Sequence, residues 1–247
     1  MRRLFLVLVS LCAACAPGTP VARTTIEPTS TPPRTTARAT TAPAPARRTS
    51  SLVVPGAGSA TQAIVVRTPS WDATTGTLEP FEKRNGVWRV AFAATTAHVG
   101  YNGFAQSKHE GDGRTPAGVY RLPFAFGTQP DPGTRLPYRR ATTNDVWVDD
   151  PSSSLYNTWQ RGPSDGRWTS AERLYQPAAY AYAVAIAYNT ARVPGRGSAI
   201  FIHVSLGRPT SGCVSVDEPT LLRLLRWLDP AEHPVIVMGT SSYVDQL

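Results

Sequence analysis

Cys213 and His203 are the residues of this chain whose types and spacing suit covalent chemistry. Cys213 lies in Pro209-Thr210-Ser211-Gly212-Cys213-Val214-Ser215, ten residues after the histidine that ends the apolar run Ile200-Phe201-Ile202-His203. A thiol with a pKa of about 8.5 is only a few per cent thiolate at neutral pH, and the thiolate is the nucleophile. Lowering that pKa to about 6 takes roughly 3.4 kcal/mol, and a neighbouring imidazolium is the usual source. The spacing therefore predicts a thiolate–imidazolium pair. Gly212 lets the backbone come close to a substrate, and the amides of Ser211, Gly212 and Cys213 are placed to face a developing oxyanion. The bland alternative for Cys213 is a small buried hydrophobe.

These two residues need a rigid frame, and the pattern around them is of short β-like runs between turn signals. Ala63–Pro69, Thr77–Lys83, Val87–Phe92, Gly118–Phe126, Asp145–Val148, Ala179–Tyr188, Ala199–Val204 and Val235–Met238 all read as strands. Arg84-Asn85-Gly86 between two of them is a strong hairpin signal. Pro219–Leu228 alone reads clearly as a helix, with Leu221, Leu222, Leu224, Leu225 and Leu228 on its apolar face, Asp217 as N-cap and Pro230 as stop. One helix among many strands predicts a mainly β fold without internal repeats.

The rest of the chain says where this domain works. Met1-Arg2-Arg3 followed by Leu4–Leu11 is a basic segment and a short apolar one, as in a secretory signal. Cys12-Ala13-Ala14-Cys15 resembles a bacterial lipoprotein cleavage site, which predicts lipidation of Cys15 and a membrane anchor, with ordinary cleavage as the alternative. Arg2 to Leu6 also hints at twin-arginine export. Residues 16–51 form a linker of 36 residues, with ten Thr, seven Pro, seven Ala, five Arg and no aromatic residue. Such a segment buries too little apolar surface to offset its chain entropy. It would reach roughly 30 Å as a coil and at most about 110 Å as polyproline II. Residues 52–247 are then the folded domain. Cys213 is its single cysteine, an unusual thing to keep in an exported protein without a partner.

Charge narrows the partners. The net +8 is uneven: residues 1–50 carry +6, and the folded part only +2. A nucleic-acid binder needs its basic residues on the folded surface that meets phosphate, so that partner is not expected. No apolar run of about 18 residues is present to span a membrane as a helix. His98, His109 and His233 are scattered without metal-ligand spacing, and neither a metal nor an organic cofactor is expected. The polar loop Lys108–Arg114 is either a solvated turn or a rim on which Arg114 pairs with a substrate carboxylate. Tyr188 and Asn189, ahead of a glycine-rich turn, are further candidate contacts. The alternating run Tyr180–Tyr188 fits sheet packing better than a site.

Taken together these residues resemble the L,D-transpeptidase (YkuD-like) catalytic domain, whose signature is a strand-borne His, a loop, and then Ser or Thr, His, Gly, Cys. Thr210-Ser211-Gly212-Cys213 matches that tetrad, and His203 matches the upstream His. Gly111–Tyr120 and Gly195–His203 are similar to an actinobacterial-type branch, and the likeness spans about residues 63–240. It differs in a shorter His-to-Cys spacing, in Ser211 where the tetrad has its second His, and in Ser215 where many members have Asn or Arg. The resemblance implies a β-sandwich and a peptidoglycan stem peptide as substrate, with Cys213 as nucleophile and His203 as general base and acid. It also implies that the Val204 carbonyl orients the imidazole and that Ser215 stands at a substrate-contact position, to which the residue pattern adds Arg114, Tyr188 and Asn189 as candidate contacts. Members commonly react with carbapenems through the thiol. Three outcomes stay open: a transpeptidase making 3→3 cross-links with release of D-Ala, an L,D-carboxypeptidase with water as acceptor, and a wall-binding lipoprotein without catalysis.

Overall fold

The computed structural model describes residues 54–247; the expected signal, Cys15 and the 16–51 linker lie outside the described residues. An eleven-stranded sheet forms the frame. Its order is Gly118–Arg121, Val235–Thr240, Gln62–Thr68, Thr75–Arg84, Thr95–His98, Val214–Val216, Phe201–Val204, Ala183–Ala185, Ala125–Gly127 and Tyr138–Arg140, with Val87–Val90 paired to Thr75–Arg84. The hairpin forms as its sequence demands. Asn85 (φ 51°) and Gly86 (φ 79°) both take the left-handed conformation that a tight, right-twisted two-residue turn needs, and Arg84 pairs with Val87.

Period-two alternation sorts the side chains. Ile64 and Val66 face one buried cluster, while Ala63 and Val65 face another with Phe81 and Trp88. The sheet curls, so Ile64, Val66 and Leu78 from one half share a cluster with Val184, Ile202 and Val214 from the other, as the two layers of a β-sandwich do. The helix Glu218–Trp227 closes this cluster with Leu221, Leu224 and Leu225, all buried. Each such leucine contributes about 1.5–3 kcal/mol of burial. Asp217 caps the helix by accepting from Thr220 N (2.9 Å), Pro219 sits in its first turn, and the chain turns extended at Leu228 before a short 3-10 turn at Pro230–Glu232.

Several expected strands are cut short. Gly118–Phe126 divides into two around Leu122-Pro123, because proline cannot donate to a ladder. Of Ala179–Tyr188 only Ala183–Ala185 pairs, and Tyr180 turns toward a second, three-stranded sheet. That sheet runs Thr158–Arg161, Asp145–Val148, Ala171–Arg173. The chain also ends in a second helix, Ser241–Val244, which the sequence pattern did not suggest.

Candidate active site

The seam between Phe201–Val204 and Val214–Val216 positions the expected pair. The strands are parallel, with Ile202 opposite Val214, His203 opposite Ser215 and Val204 opposite Val216. Ile202, Val204, Val214 and Val216 point into the sandwich. Alternation then sends Phe201, Cys213, His203 and Ser215 to the opposite face. There Phe201 meets Trp147 of the three-stranded sheet, with ring centroids 5.1 Å apart. A cavity of about 660 Å³ opens beside this contact, and Cys213, His203, Ser211, Gly212 and Ser215 all line it.

The sulfur is held by backbone. Cys213 Sγ donates to the Ala199 carbonyl (3.3 Å) and accepts from the Phe201 amide (3.4 Å), and the residue is 8% exposed. Burial pushes the thiol well up, and the charge of Glu172 adds to that; the Phe201 amide, Lys108 and Tyr180 oppose it. His203 Nδ1 lies 2.8 Å from the Val204 carbonyl, so that nitrogen carries the proton and Nε2 keeps its lone pair. Burial holds His203 below the usual imidazole range, the Val204 bond pulling weakly the other way. These environments favour a neutral thiol beside a neutral imidazole rather than the expected ion pair, because both charged forms are dehydrated.

The turn before the nucleophile is pinned at several points. Thr210 pairs with Val99 and Tyr101 through its backbone (2.9 and 2.8 Å), and its hydroxyl donates to the Cys213 carbonyl at 2.6 Å. Thr115 Oγ1 donates to the same carbonyl at 3.2 Å. Gly212 takes φ 144°, and a Cβ there would lie 2.9 Å from the Arg114 carbonyl oxygen, so a side chain does not fit. The Gly212 amide donates to Thr210 Oγ1 (3.1 Å), whereas the amides of Ser211 and Cys213 have no hydrogen bond outside the strand ladder among the described residues. Of the three amides expected to face an oxyanion, one is thus already engaged.

Other cavity walls hold residues that the sequence did not single out. Tyr180, buried, packs edge-on to the His203 ring at 5.3 Å and donates its hydroxyl to Glu172. Burial pushes Glu172 up to about 7, with Asp149 and Glu110 adding charge repulsion and the bonds from Tyr180 and Gln176 opposing. Lys108 is buried on the same cavity and donates to Asp112 at 2.7 Å. Glu110 accepts from Ser198 Oγ (2.8 Å) and from the Tyr156 hydroxyl. Lys108 did carry a faint signal, being one of two lysines in a chain with 23 arginines. Glu172 carried none: its place depends on pairing with Trp147, 25 residues away in sequence.

The remaining expected contacts divide. Ser215 lines the cavity, fully buried, and its hydroxyl has no partner among the described residues. Arg114 is not brought to it. Its guanidinium donates to the Phe104 carbonyl (3.0 Å) and to Asp72 (3.2 Å), and it lines a separate groove with Trp71. Tyr188 donates to the Arg196 carbonyl (2.5 Å) and packs on Tyr120. Asn189, at φ 47°, bonds Val193 and Gly197 and so ties the 189–197 turn. Neither Tyr188 nor Asn189 lines the cavity; both shape the loop that brings Ala199 to the sulfur.

The L,D-transpeptidase catalytic domain family, YkuD, matches residues 62–237. No curated protein matches. Among solved structures, the helical cell shape determining protein Pgp2 of Campylobacter jejuni is similar at 15% identity and a TM-score of 0.39, over 74% of this chain and 49% of that one. This chain therefore spans about half the length of that protein.

Proposed function

The chain belongs to the L,D-transpeptidase catalytic-domain (YkuD) family, and from that premise we propose that it is a cysteine acyltransferase acting on peptidoglycan stem peptides outside the plasma membrane. The observation that carries this reading is that Cys213 and His203 share one face of two adjacent parallel strands and open on one cavity.

The chemistry follows from the neutral pair. His203 Nε2 takes the thiol proton as Sγ attacks the carbonyl carbon that joins a diamino acid centre to the terminal D-Ala. The carbonyl π pair moves to oxygen, which meets the amides of Ser211 and Cys213. The Val204 carbonyl, 2.8 Å from Nδ1, stabilises the imidazolium that forms. As the oxyanion collapses, the C–N bond breaks, and the imidazolium gives its proton to the departing D-Ala nitrogen. A thioester remains on Cys213. An amine from a neighbouring stem attacks the thioester, His203 removes the amine's proton, and the sulfur leaves and is reprotonated. The result is a 3→3 cross-link.

This reading is tested by incubating the purified protein with a tetrapeptide stem and a competing amine. A cross-linked dimer with one D-Ala released per bond is expected. A shortened peptide alone would make water the acceptor and the enzyme a carboxypeptidase. An unaltered stem would leave wall binding without catalysis.

A further inference from the structure

Lys108 brings a full positive charge against the nucleophile turn. Its side chain is 3% exposed, and Nζ donates to Asp112 Oδ1 (2.7 Å) and to the His109 carbonyl (3.3 Å). Two glycines at positive φ form the channel through which it runs. A Cβ on Gly197 (φ 95°) would stand 2.8 Å from Lys108 Cε, and one on Gly212 would stand 3.4 Å from Nζ. The ammonium therefore sits beside the residue that precedes Cys213, on the wall of the same cavity. Burying an ammonium is costly unless something compensates it. Asp112 does so in part, but its carboxylate also accepts from the amides of His109 (2.7 Å) and Arg114 (2.9 Å), which share its charge. A slim ammonium on a flexible stem threads this channel, whereas the planar guanidinium used nearly everywhere else in the chain is a broader group.

We propose that Lys108 stabilises the Cys213 thiolate and the oxyanion formed when that sulfur attacks, a task for which the neighbouring Ser211 carries no charge. The inference rests on Cys213 as the nucleophile. Glu172 and Tyr180 face the sulfur from the three-stranded-sheet side, and His203 from the adjacent strand. Glu110, Asp149 and Arg208 line the same cavity.

Lys108→Met and Asp112→Asn break one ion pair in two ways, which gives the test its sign. If the pair only braces the loop, both variants change the sulfur in the same direction. If the ammonium stabilises the thiolate, removing it must slow modification of Cys213, and removing its counterion must speed it. The readout is the rate of iodoacetamide alkylation in the full-length protein, followed at the Cys213 peptide at several pH values below the thiol midpoint. There the rate is proportional to the thiolate fraction. Lys108→Met is expected to slow alkylation about tenfold, a shift of about one pKa unit, and Asp112→Asn to accelerate it about threefold. Equal-signed changes, an unchanged rate in Lys108→Met, or slowing in Asp112→Asn alone should the other variant not fold, would overturn the proposal. Acyl-enzyme formation with a tetrapeptide stem is measured alongside and should fall at least about tenfold in Lys108→Met. Opposite-signed alkylation shifts in a protein that forms no acyl-enzyme would retire the transpeptidase reading and uphold the hold of Lys108 on the sulfur.

Discussion

Asp145 and Glu172 sit on paired strands of one small sheet, and the protein treats the two carboxyl groups in opposite ways. Asp145 has no exposed side-chain surface, and burial alone would raise its pKa. It nevertheless accepts from Thr142 N and Oγ1 (2.7 and 2.6 Å), Trp159 Nε1 (3.0 Å) and Arg161 Nε (3.0 Å), which hold it down to about 2. Glu172 has the Tyr180 hydroxyl and a long contact to Gln176 (3.4 Å), and its dehydrated carboxyl is pushed up to about 7 beside the nucleophile. Donors that outweigh dehydration, the Arg161 guanidinium first among them, hold down the carboxylate that braces the sheet, whereas dehydration outweighs the two donors of the one offered to the cavity.

The largest expected effect is on the bracing end. Asp145→Ala strands Trp159 Nε1 and the Thr142 donors, which should cost about 2–4 kcal/mol. Thermal melting checks this, and the reactivity of Cys213 in the protein that remains folded should stay near wild type. Acid should weaken the same contact, since a carboxylate with a lowered folded-state pKa contributes stability above its unfolded value, and that stability is lost as pH falls toward about 2.

Glu172→Gln is expected to act more gently and with the opposite pH dependence. A carboxyl whose folded-state pKa is raised is tolerated below its ordinary value of 4.5, and it destabilises the protein as pH rises through about 7. Melting temperatures of wild type and Glu172→Gln should therefore separate over that window, the variant being the more stable on the alkaline side. Alkylation of Cys213 should be faster in the variant above about pH 7 and alike below it, because a carboxylate repels the thiolate. A constant offset across the whole range would mean that the two groups do not interact.

The smallest effect belongs to Arg114. The loop that carries Lys108 and Glu110 into the cavity turns Arg114 to the other groove, where it pairs with an exposed Asp72. Arg114→Gln should leave acylation unchanged and shift stability by no more than about 1 kcal/mol. A loss of acylation without loss of folding would restore Arg114 to the site.

The contrast also marks what could be read from residue order. The hairpin at Asn85-Gly86, the helix after Asp217 and the strand carrying His203 are local patterns, and each forms close to where the pattern places it. The clustering of Cys213 and His203 on one cavity was legible because both flank a single short turn. Arg114 and Asn189 looked equally polar in sequence, yet their partners lie in Asp72 and in the 193–197 turn, and residue types alone do not reveal such pairings. Glu172 and Tyr180 reach the sulfur only through the packing of the three-stranded sheet on Phe201, a long-range event without a local signature.

Intact-protein mass spectrometry after incubation with a carbapenem shows whether the sulfur of Cys213 is a live nucleophile. The wild-type protein should gain the mass of one covalently bound carbapenem, and folded Cys213→Ala should gain nothing. A wild-type protein that stays unmodified, or a Cys213→Ala protein that still forms the adduct, would rule out Cys213 as the nucleophile.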